Sequence, residues 1–425
     1  AEAAGIECTA DMNPILLKPS GLHTSQVVIN GRSSGNKDAY QYFRNEGKEE
    51  LRKIAHRAFD RLNQRFNPIV IEGAGSISEL NLRSGDIVNM SMAVYADAKV
   101  ILVADIDRGG VFASAYGSIM LQTPEERKRI KGIIINKFRG DLRLFDEGRK
   151  IMERICGVPV LGVVPMAGHI HIDEEDSVSL AKKENKAING KVNIAVVLLK
   201  HISNFTDFNM LERHHRVNLF YASDPEDLDN ADIVIVPGSK NTISDLLYIR
   251  KTGMAKAICD ARDKGKTVVG ICGGYQILGE EVADPHCVEG EVKVLPGLGL
   301  LPVRSIMTPE KTTRQVDFRF MDDERICHGY EIHMGKTETN APFLTFSDGA
   351  QEGCMADDRC FGSYMHGIFD NASAVDFILK PFSSGRYIEH PDYSSFKEEQ
   401  YDLLADWLRE HVDMPQLYKI MSGDD

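Results

Sequence analysis

Cys272 stands where a run of β-branched residues meets glycines, in Thr267-Val268-Val269-Gly270-Ile271-Cys272-Gly273-Gly274-Tyr275-Gln276. A buried strand that turns at once into a helix would lift this sulfur to a helix N-terminus, where the dipole favours the nucleophilic thiolate. The N–H of Gly273 would then point at a developing oxyanion. A second strand-and-turn, Ile233-Val234-Ile235-Val236-Pro237-Gly238-Ser239-Lys240-Asn241-Thr242, is placed to supply another such donor. Downstream, His366 lies among small residues in Phe361-Gly362-Ser363-Tyr364-Met365-His366-Gly367 and is the candidate base. A thiolate and an imidazole are the usual pair for attack on an amide carbonyl. A plainer reading stays open, because a Cys after a buried strand is also an ordinary core residue and a glycine pair also simply makes a turn.

The front half offers charged loops. In Val70-Ile71-Glu72-Gly73-Ala74-Gly75, a carboxylate follows an apolar run, which is how a hard Mg²⁺ is presented to nucleotide phosphates; an acidic residue in a surface turn is the alternative. Ala104-Asp105-Ile106-Asp107-Arg108-Gly109-Gly110 fits a phosphate or substrate loop, with Arg108 able to grip an anion through two N–H groups. Asp105 or Asp107 equally suits a helix cap.

Such residues need a scaffold, and the apolar runs give one. Segments 68–71, 100–104, 133–135 and 159–164 are Val- and Ile-rich on both faces, as buried parallel strands are, with helical stretches Arg83–Ala96 and Leu142–Cys156 between them. A polar, charged stretch over 174–191 reads as a linker. A second series follows, with strands at 192–199, 233–236 and 267–271, a β-rich stretch from 299 to about 346, and an amphipathic helix over 394–417. The expectation is an α/β chain of two doubly wound, mostly parallel-sheet domains, which place ligands at their strand C-termini.

At 425 residues, with 43% hydrophobic and 27% charged, the chain is too long for one small module and has the make-up of a packed protein. A net charge of −13 provides no global basic field, which argues against nucleic acid and anionic bilayers. Eight cysteines, none in a Cys-x-x-Cys pair, fit a reducing compartment. No apolar run is long enough for a membrane helix and no signal peptide is legible, so the expected location is cytoplasmic. The start at Ala1, without Met, suggests further chain upstream.

The order of Pro-Gly loop, Gly-x-Cys-Gly-Gly-x-Gln elbow and later His resembles class I (triad) glutamine amidotransferase domains of flavodoxin-like fold. That resemblance implies Cys272 as nucleophile, His366 as base, Gly238 and Gly273 at the oxyanion, and Gln276 as a glutamine contact. Many such domains read His-x-Glu, but position 368 is Ile368, so the third triad member is missing at that spacing; Asp370 would serve only if the backbone brought it round. The strings Ile202-Ser203-Asn204-Phe205-Thr206-Asp207-Phe208, Pro237–Thr242 and His328-Gly329-Tyr330-Glu331-Ile332-His333-Met334-Gly335 are similar to those of the cobyric acid synthases, over nearly the whole chain. Glu72-Gly73-Ala74-Gly75 resembles the turn of dethiobiotin synthetase-like, P-loop NTPase-like ATPases.

The resemblance implies a dethiobiotin synthetase-like ATP and corrinoid domain over 1–185 and an amidotransferase domain over 192–425 that includes the C-terminal helix. ATP and Mg²⁺ are the implied cofactors, with Glu72 on the metal, and Asp105, Asn136 and Lys137 on the nucleotide. Lys18, Arg108, Tyr330 and His333 would meet substrate, although an ordinary surface lysine and a strand with exposed polar side chains also suit these strings. The implied reaction is glutamine-dependent, ATP-driven amidation of the peripheral carboxylates of adenosylcobyrinic acid a,c-diamide. Partners would then be small molecules, glutamine, ATP and a corrinoid, with homo-oligomerisation left open. Gly-x-x-x-x-Gly-Lys-[Ser/Thr] occurs nowhere in the 425 residues. The expected synthetase half therefore lacks its first strand and phosphate loop, as a fragment would or as a half without its ATP chemistry would. Two alternatives accompany the main reading: an amidotransferase for another carboxylate, such as the a,c-diamide step or a cell-wall lipid, and a catalytically inactive binding fragment.

Overall fold

The computed structural model describes residues 4–19, 24–38, 48–172, 187–382 and 393–423. It divides into two compact units, Ala1–Ile172 with Glu398–Asp425, and Asp173–Lys397. Most of the expected linker, 173–186, lies outside the described residues.

In the first unit, β1 (Ile15–Pro19), β2 (Thr24–Ile29) and β3 (Arg32–Asp38) form an antiparallel sheet, and β4 (Val100–Asp105), β5 (Ile130–Phe138) and β6 (Val160–Pro165) form a parallel one in the order β4-β5-β6. Ile133 and Ile135 of β5 are fully buried against Val111, Ala115 and Ile119 of the helix Val111–Met120 and Met152 of the helix Asp146–Cys156. The three later expected strands therefore form, but 68–71 does not: Val70 is 87% exposed, and the run has no paired neighbour among the described residues. An apolar run becomes a strand only where another strand takes its N–H and C=O groups. The helix expected over Arg83–Ala96 shrinks to Met90–Tyr95, because Asp86 turns its carboxylate onto the N–H groups of Val88, Asn89 and Ser91 and starts the helix late.

The C-terminal segment corrects a second expectation. It forms two helices, Tyr393–His411 and Met414–Ser422, and residues from Glu398 onward belong to the first unit. Val412 and Ile420 bury against Leu161 and Val164 of β6, with Trp407, Met414 and Leu417 packed alongside. Trp407 Nε1 donates to the Pro165 carbonyl at 3.2 Å and the Asp413 N–H to that of Leu161 at 2.7 Å. The apolar stripe of these helices had an uncovered face of β6 to bury.

The second unit holds β7 (Val192–Val197), β8 (Val217–Ala222), β9 (Ile233–Val236), β10 (Thr267–Ile271), β11 (Glu281–Ala283), β12 (Val294–Pro296), β13 (Arg304–Phe320), β14 (Cys327–Glu338), β15 (Leu344–Phe346), β16 (Gln351–Glu352), β17 (Cys354–Asp357), β18 (Cys360–Ser363) and β19 (Met365–His366). One sheet runs β17-β18-β10-β9-β7-β8, with all neighbours parallel except the β17–β18 pair. Its central strands are buried on both faces, which matches their Val- and Ile-rich sequences. The second sheet, β12-β11-β13-β14-β19, is built around the long β13–β14 ribbon and accounts for the β-rich stretch. The chain passes from one sheet to the other between Ser363 and Met365, and that crossing carries His366 to the C-terminal ends of the parallel strands.

Candidate active site

Cys272 follows the last residue of β10 and caps the helix Gly273–Leu278 with φ 51° and ψ −107°. A non-glycine residue at positive φ is costly and is held only where its surroundings dictate it. A Cβ on Gly274 would lie 1.8 Å from the Val236 carbonyl oxygen, so the turn has no space for a side chain. The sulfur of Cys272 donates toward the Ile332 carbonyl on β14 at 3.7 Å. Gly273 opens the helix, and its N–H is one of the first-turn donors that no helical carbonyl reaches.

Strand register brings the imidazole to this elbow. Ile271 pairs with Ser363, the Cys272 N–H donates to the Ser363 carbonyl at 2.8 Å, and the bend that follows delivers His366. His366 is fully buried, and its Nδ1 meets Asp207 Oδ2 at 2.7 Å, while Asp207 Oδ1 accepts the Gly367 N–H at 3.1 Å. Asp207 sits in the short turn Phe205–Phe208 beyond β7 and is itself buried. The imidazole Nε2 is buried and makes no hydrogen bond of normal geometry among the described residues. Burial opposes the charged imidazolium, but the Asp207 carboxylate and the neighbouring Cys272 sulfur outweigh it and raise the His366 pKa to about 10. Cys272, His366 and Asp207 thus stand together as a candidate nucleophile, base and orienting carboxylate, the last from a segment far from the expected spacing. Asp370, the other carboxylate considered, is not on Nδ1.

The surrounding residues pack closely around this group. Gly238 follows β9 by two residues, and a Cβ there would stand 2.7 Å from Ser203 Oγ and 3.2 Å from His366 Cε1, so a side chain would push the imidazole aside. Tyr330 pairs with His366 across β14 and β19 and stacks on it with ring centroids 5.2 Å apart; Asn204 Nδ2 donates to its hydroxyl at 2.9 Å. His333 stacks on Tyr364 at 3.8 Å and donates from Nδ1 to the Gly335 carbonyl at 2.7 Å, forming part of the wall.

Gln276 lies on the helix that Cys272 caps. It is 2% exposed, with Oε1 accepting from Thr242 Oγ1 at 2.8 Å and Nε2 donating to the Tyr364 hydroxyl at 3.1 Å. Both ends of its amide brace the elbow from behind. Glu352, which the sequence did not single out, braces the His366 crossing: it accepts from Ser363 Oγ at 2.5 Å and the Tyr364 N–H at 2.8 Å, and burial pushes its pKa up to about 7.

In the first unit, Asp105 ends β4 beside its register partner Asn136 on β5, and Lys137 Nζ lies 3.0 Å from Asp105 Oδ2, which holds the Asp105 pKa down. Arg139 pairs with Asp107, and Arg108 lies exposed 4.0 Å from Asp105. Asp105, Asn136, Lys137 and Arg108 thus gather at the C-terminal ends of two parallel strands, the place where such sheets bind anions. Glu72 is exposed in a segment without regular structure, its turn fixed by Asn89, which both accepts the Ala74 N–H at 3.0 Å and donates to the Ala74 carbonyl at 2.8 Å. Asp105 and Asp107 are held by Lys137 and Arg139, and among the described residues no group of three acidic, His or Cys side chains gathers at one point, so a Mg²⁺ here would rest on one or two carboxylates and the nucleotide phosphates. Lys18 lies on β1, and its side chain is outside the described ones. No described helix is long and apolar enough to cross a membrane.

Comparison with known proteins agrees with this division. A family described as CobB/CobQ-like glutamine amidotransferase domain matches residues 193–374, and one described as AAA domain matches residues 38–171. Proteins named cobyric acid synthase from Phocaeicola vulgatus and Bacteroides fragilis are 59% and 60% identical, each over 100% of this chain and 87% of the relative. Another of that name, from Parabacteroides distasonis, is 52% identical over 98% of this chain and 86% of its own.

Proposed function

The chain belongs to the cobyric acid synthase family of glutamine-dependent amidotransferases, and from that premise we propose that it amidates the peripheral carboxylates of adenosylcobyrinic acid a,c-diamide with ammonia drawn from glutamine. The observation that carries the glutaminase half is the buried Asp207–His366 pair set beside a Cys272 held at positive φ. The Cys272 thiolate attacks the side-chain amide carbon of glutamine. The oxyanion forms against the Gly273 N–H and the Gly238 loop. His366, charged and oriented by Asp207, gives its proton to the departing ammonia, leaving a thioester on Cys272. Neutral His366 then takes a proton from water, which attacks the thioester and releases glutamate. Tyr330 covers the imidazole face and helps to exclude bulk water from this exchange.

The AAA-matched unit spends ATP on the acceptor carboxylate, converting it to an acyl phosphate that ammonia displaces. Asp105, Asn136 and Lys137 are the candidates to hold the nucleotide, and Arg108 to hold an anionic substrate group; no step is assigned to a metal. The test is glutamate release from glutamine, with and without ATP and the corrinoid diacid, for the wild type and Cys272→Ala. Release that vanishes in the variant and rises with ATP plus corrinoid supports the reading. Equal release from the two proteins overturns it.

A further inference from the structure

Asp245 lies in the first turn of the helix Thr242–Thr252, is 0% exposed, and takes no part in the chemistry described above. Its carboxylate accepts from Ser239 Oγ at 2.6 Å, from His201 Nδ1 at 2.9 Å and from the His201 N–H at 3.2 Å. Ser239 belongs to the loop after β9, and His201 to the loop after β7. These loops are laced together in their own right: the Ser203 N–H donates to the Gly238 carbonyl at 2.9 Å, the Lys240 N–H donates to the His201 carbonyl at 2.8 Å, and Ile202 and Ser239 form an antiparallel bridge.

Both loops end at the catalytic groups. The first leads to Asp207, which holds His366. The second carries Gly238 against His366 and brings the Ser239 nitrogen to 2.8 Å from the place a Cβ on Gly273 would occupy. One buried carboxylate therefore ties the loop after β9, which faces the elbow, to the loop after β7 that leads to Asp207. A charge removed from water is retained only where its partners satisfy it, and each partner of Asp245 is part of this lacing.

We propose that Asp245 is a positioning residue for glutamine hydrolysis: through Ser239 it holds the Gly238–Ser239 backbone at the oxyanion side of Cys272. This rests on the glutaminase reading above. A displacement of about 1 Å at such a donor can cost on the order of 10²-fold in rate. The expected change falls on kcat, since the oxyanion forms only as the carbonyl is attacked.

The experiment uses the full chain as the wild type, Asp245→Asn, Ser239→Ala and Cys272→Ala, and measures glutamate release alongside the rate at which iodoacetamide alkylates Cys272. Alkylation needs the thiolate but creates no oxyanion. Asp245→Asn should lower kcat by about 10- to 100-fold and Ser239→Ala by about 3- to 10-fold, with KM and alkylation each within about 3-fold of wild type. Should Asp245→Asn not accumulate as folded protein, Ser239→Ala carries the same test with one hydroxyl removed. Unchanged turnover in the variants, or turnover and alkylation falling in step, overturns the proposal, because a generally loosened fold would act on both. Wild-type turnover that survives Cys272→Ala removes the glutaminase reading instead, and the two failures are distinguishable.

Discussion

His366 keeps its proton far above the usual imidazole range because Asp207 and Cys272 lie against it in a buried site, and this makes its pH behaviour a residue-scale test. Replacing Asp207 by Asn leaves a hydrogen bond to Nδ1 but removes the charge. We expect kcat for glutamine to fall by on the order of 10²-fold, and the alkaline limb of the kcat/KM profile to move to lower pH, since imidazolium is then lost earlier. A profile unmoved along the pH axis would show that Asp207 does not set the imidazole's charge. Stability follows with the same sign. The folded state binds this proton up to about pH 10 and the unfolded chain only to about 6.5, so the contribution is complete below about 6.5 and gone above about 10. Thermal unfolding should therefore show a larger Tm loss for Asp207→Asn at pH 6 than at pH 10, and equal losses would count against it. Cys272, His366 and the Gly238 loop were legible in sequence because each follows a strand with a telltale glycine. Asp207 was not, because it comes from 159 residues before His366, and only the parallel strand order brings the two loops together.

Strands apolar on both faces and enclosed in a parallel sheet were read correctly, whereas the antiparallel strands β1, β2 and β3, with alternating or polar faces, were not. Segments 233–236 and 267–271 form β9 and β10, since a run apolar on both faces suits the middle of a parallel sheet. The run at 68–71 looked the same and stayed unpaired among the described residues, while β8 was not among the expected strands. The elbow is the element where sequence and packing leave least freedom. Gly274→Ala would drive a methyl into the Val236 carbonyl, and we expect about 3 kcal/mol or more of destabilisation, read from urea unfolding, together with loss of glutamate release. The C-terminal helices give the opposite pattern. Ile420 is buried against β6 in the first unit, so Ile420→Ala should cost about 2–4 kcal/mol in the unfolding of that unit while glutamate release at 25 °C holds. A loss of glutaminase equal to that of Gly274→Ala would show that the C-terminal helices serve the second unit, as their position in the sequence had suggested.

For the whole molecule, the proposed function divides the work between the two units: Cys272, His366 and Asp207 in one, and Asp105, Asn136, Lys137 and Arg108 at the strand ends of the other. If the acceptor is the polyanionic corrinoid of the proposed function, a net charge of −13 opposes its approach in general, and that proposal assigns local attraction to Arg108, Lys137 and Arg139. Removing the glutamine chemistry and removing the acceptor chemistry should then have separable effects. Cys272→Ala is expected to lose amidation of the corrinoid diacid with glutamine but to keep it when ammonium salt is supplied, because ammonia needs no thioester. Lys137→Ala is expected to lower amidation by about 10-fold or more with either nitrogen source, in keeping with the loss of a charged contact worth roughly 1.5–3 kcal/mol, while still releasing glutamate. Corrinoid products separated by mass, with glutamate measured in the same reactions, check all four combinations. If Lys137→Ala abolished glutamate release as well, the cation cluster would be acting on the glutaminase rather than on the acceptor. If the wild type released glutamate but amidated nothing from either source, the strand-end cluster at Asp105 and Lys137 would have no ligase role in this chain, and the amidotransferase unit would be feeding ammonia elsewhere.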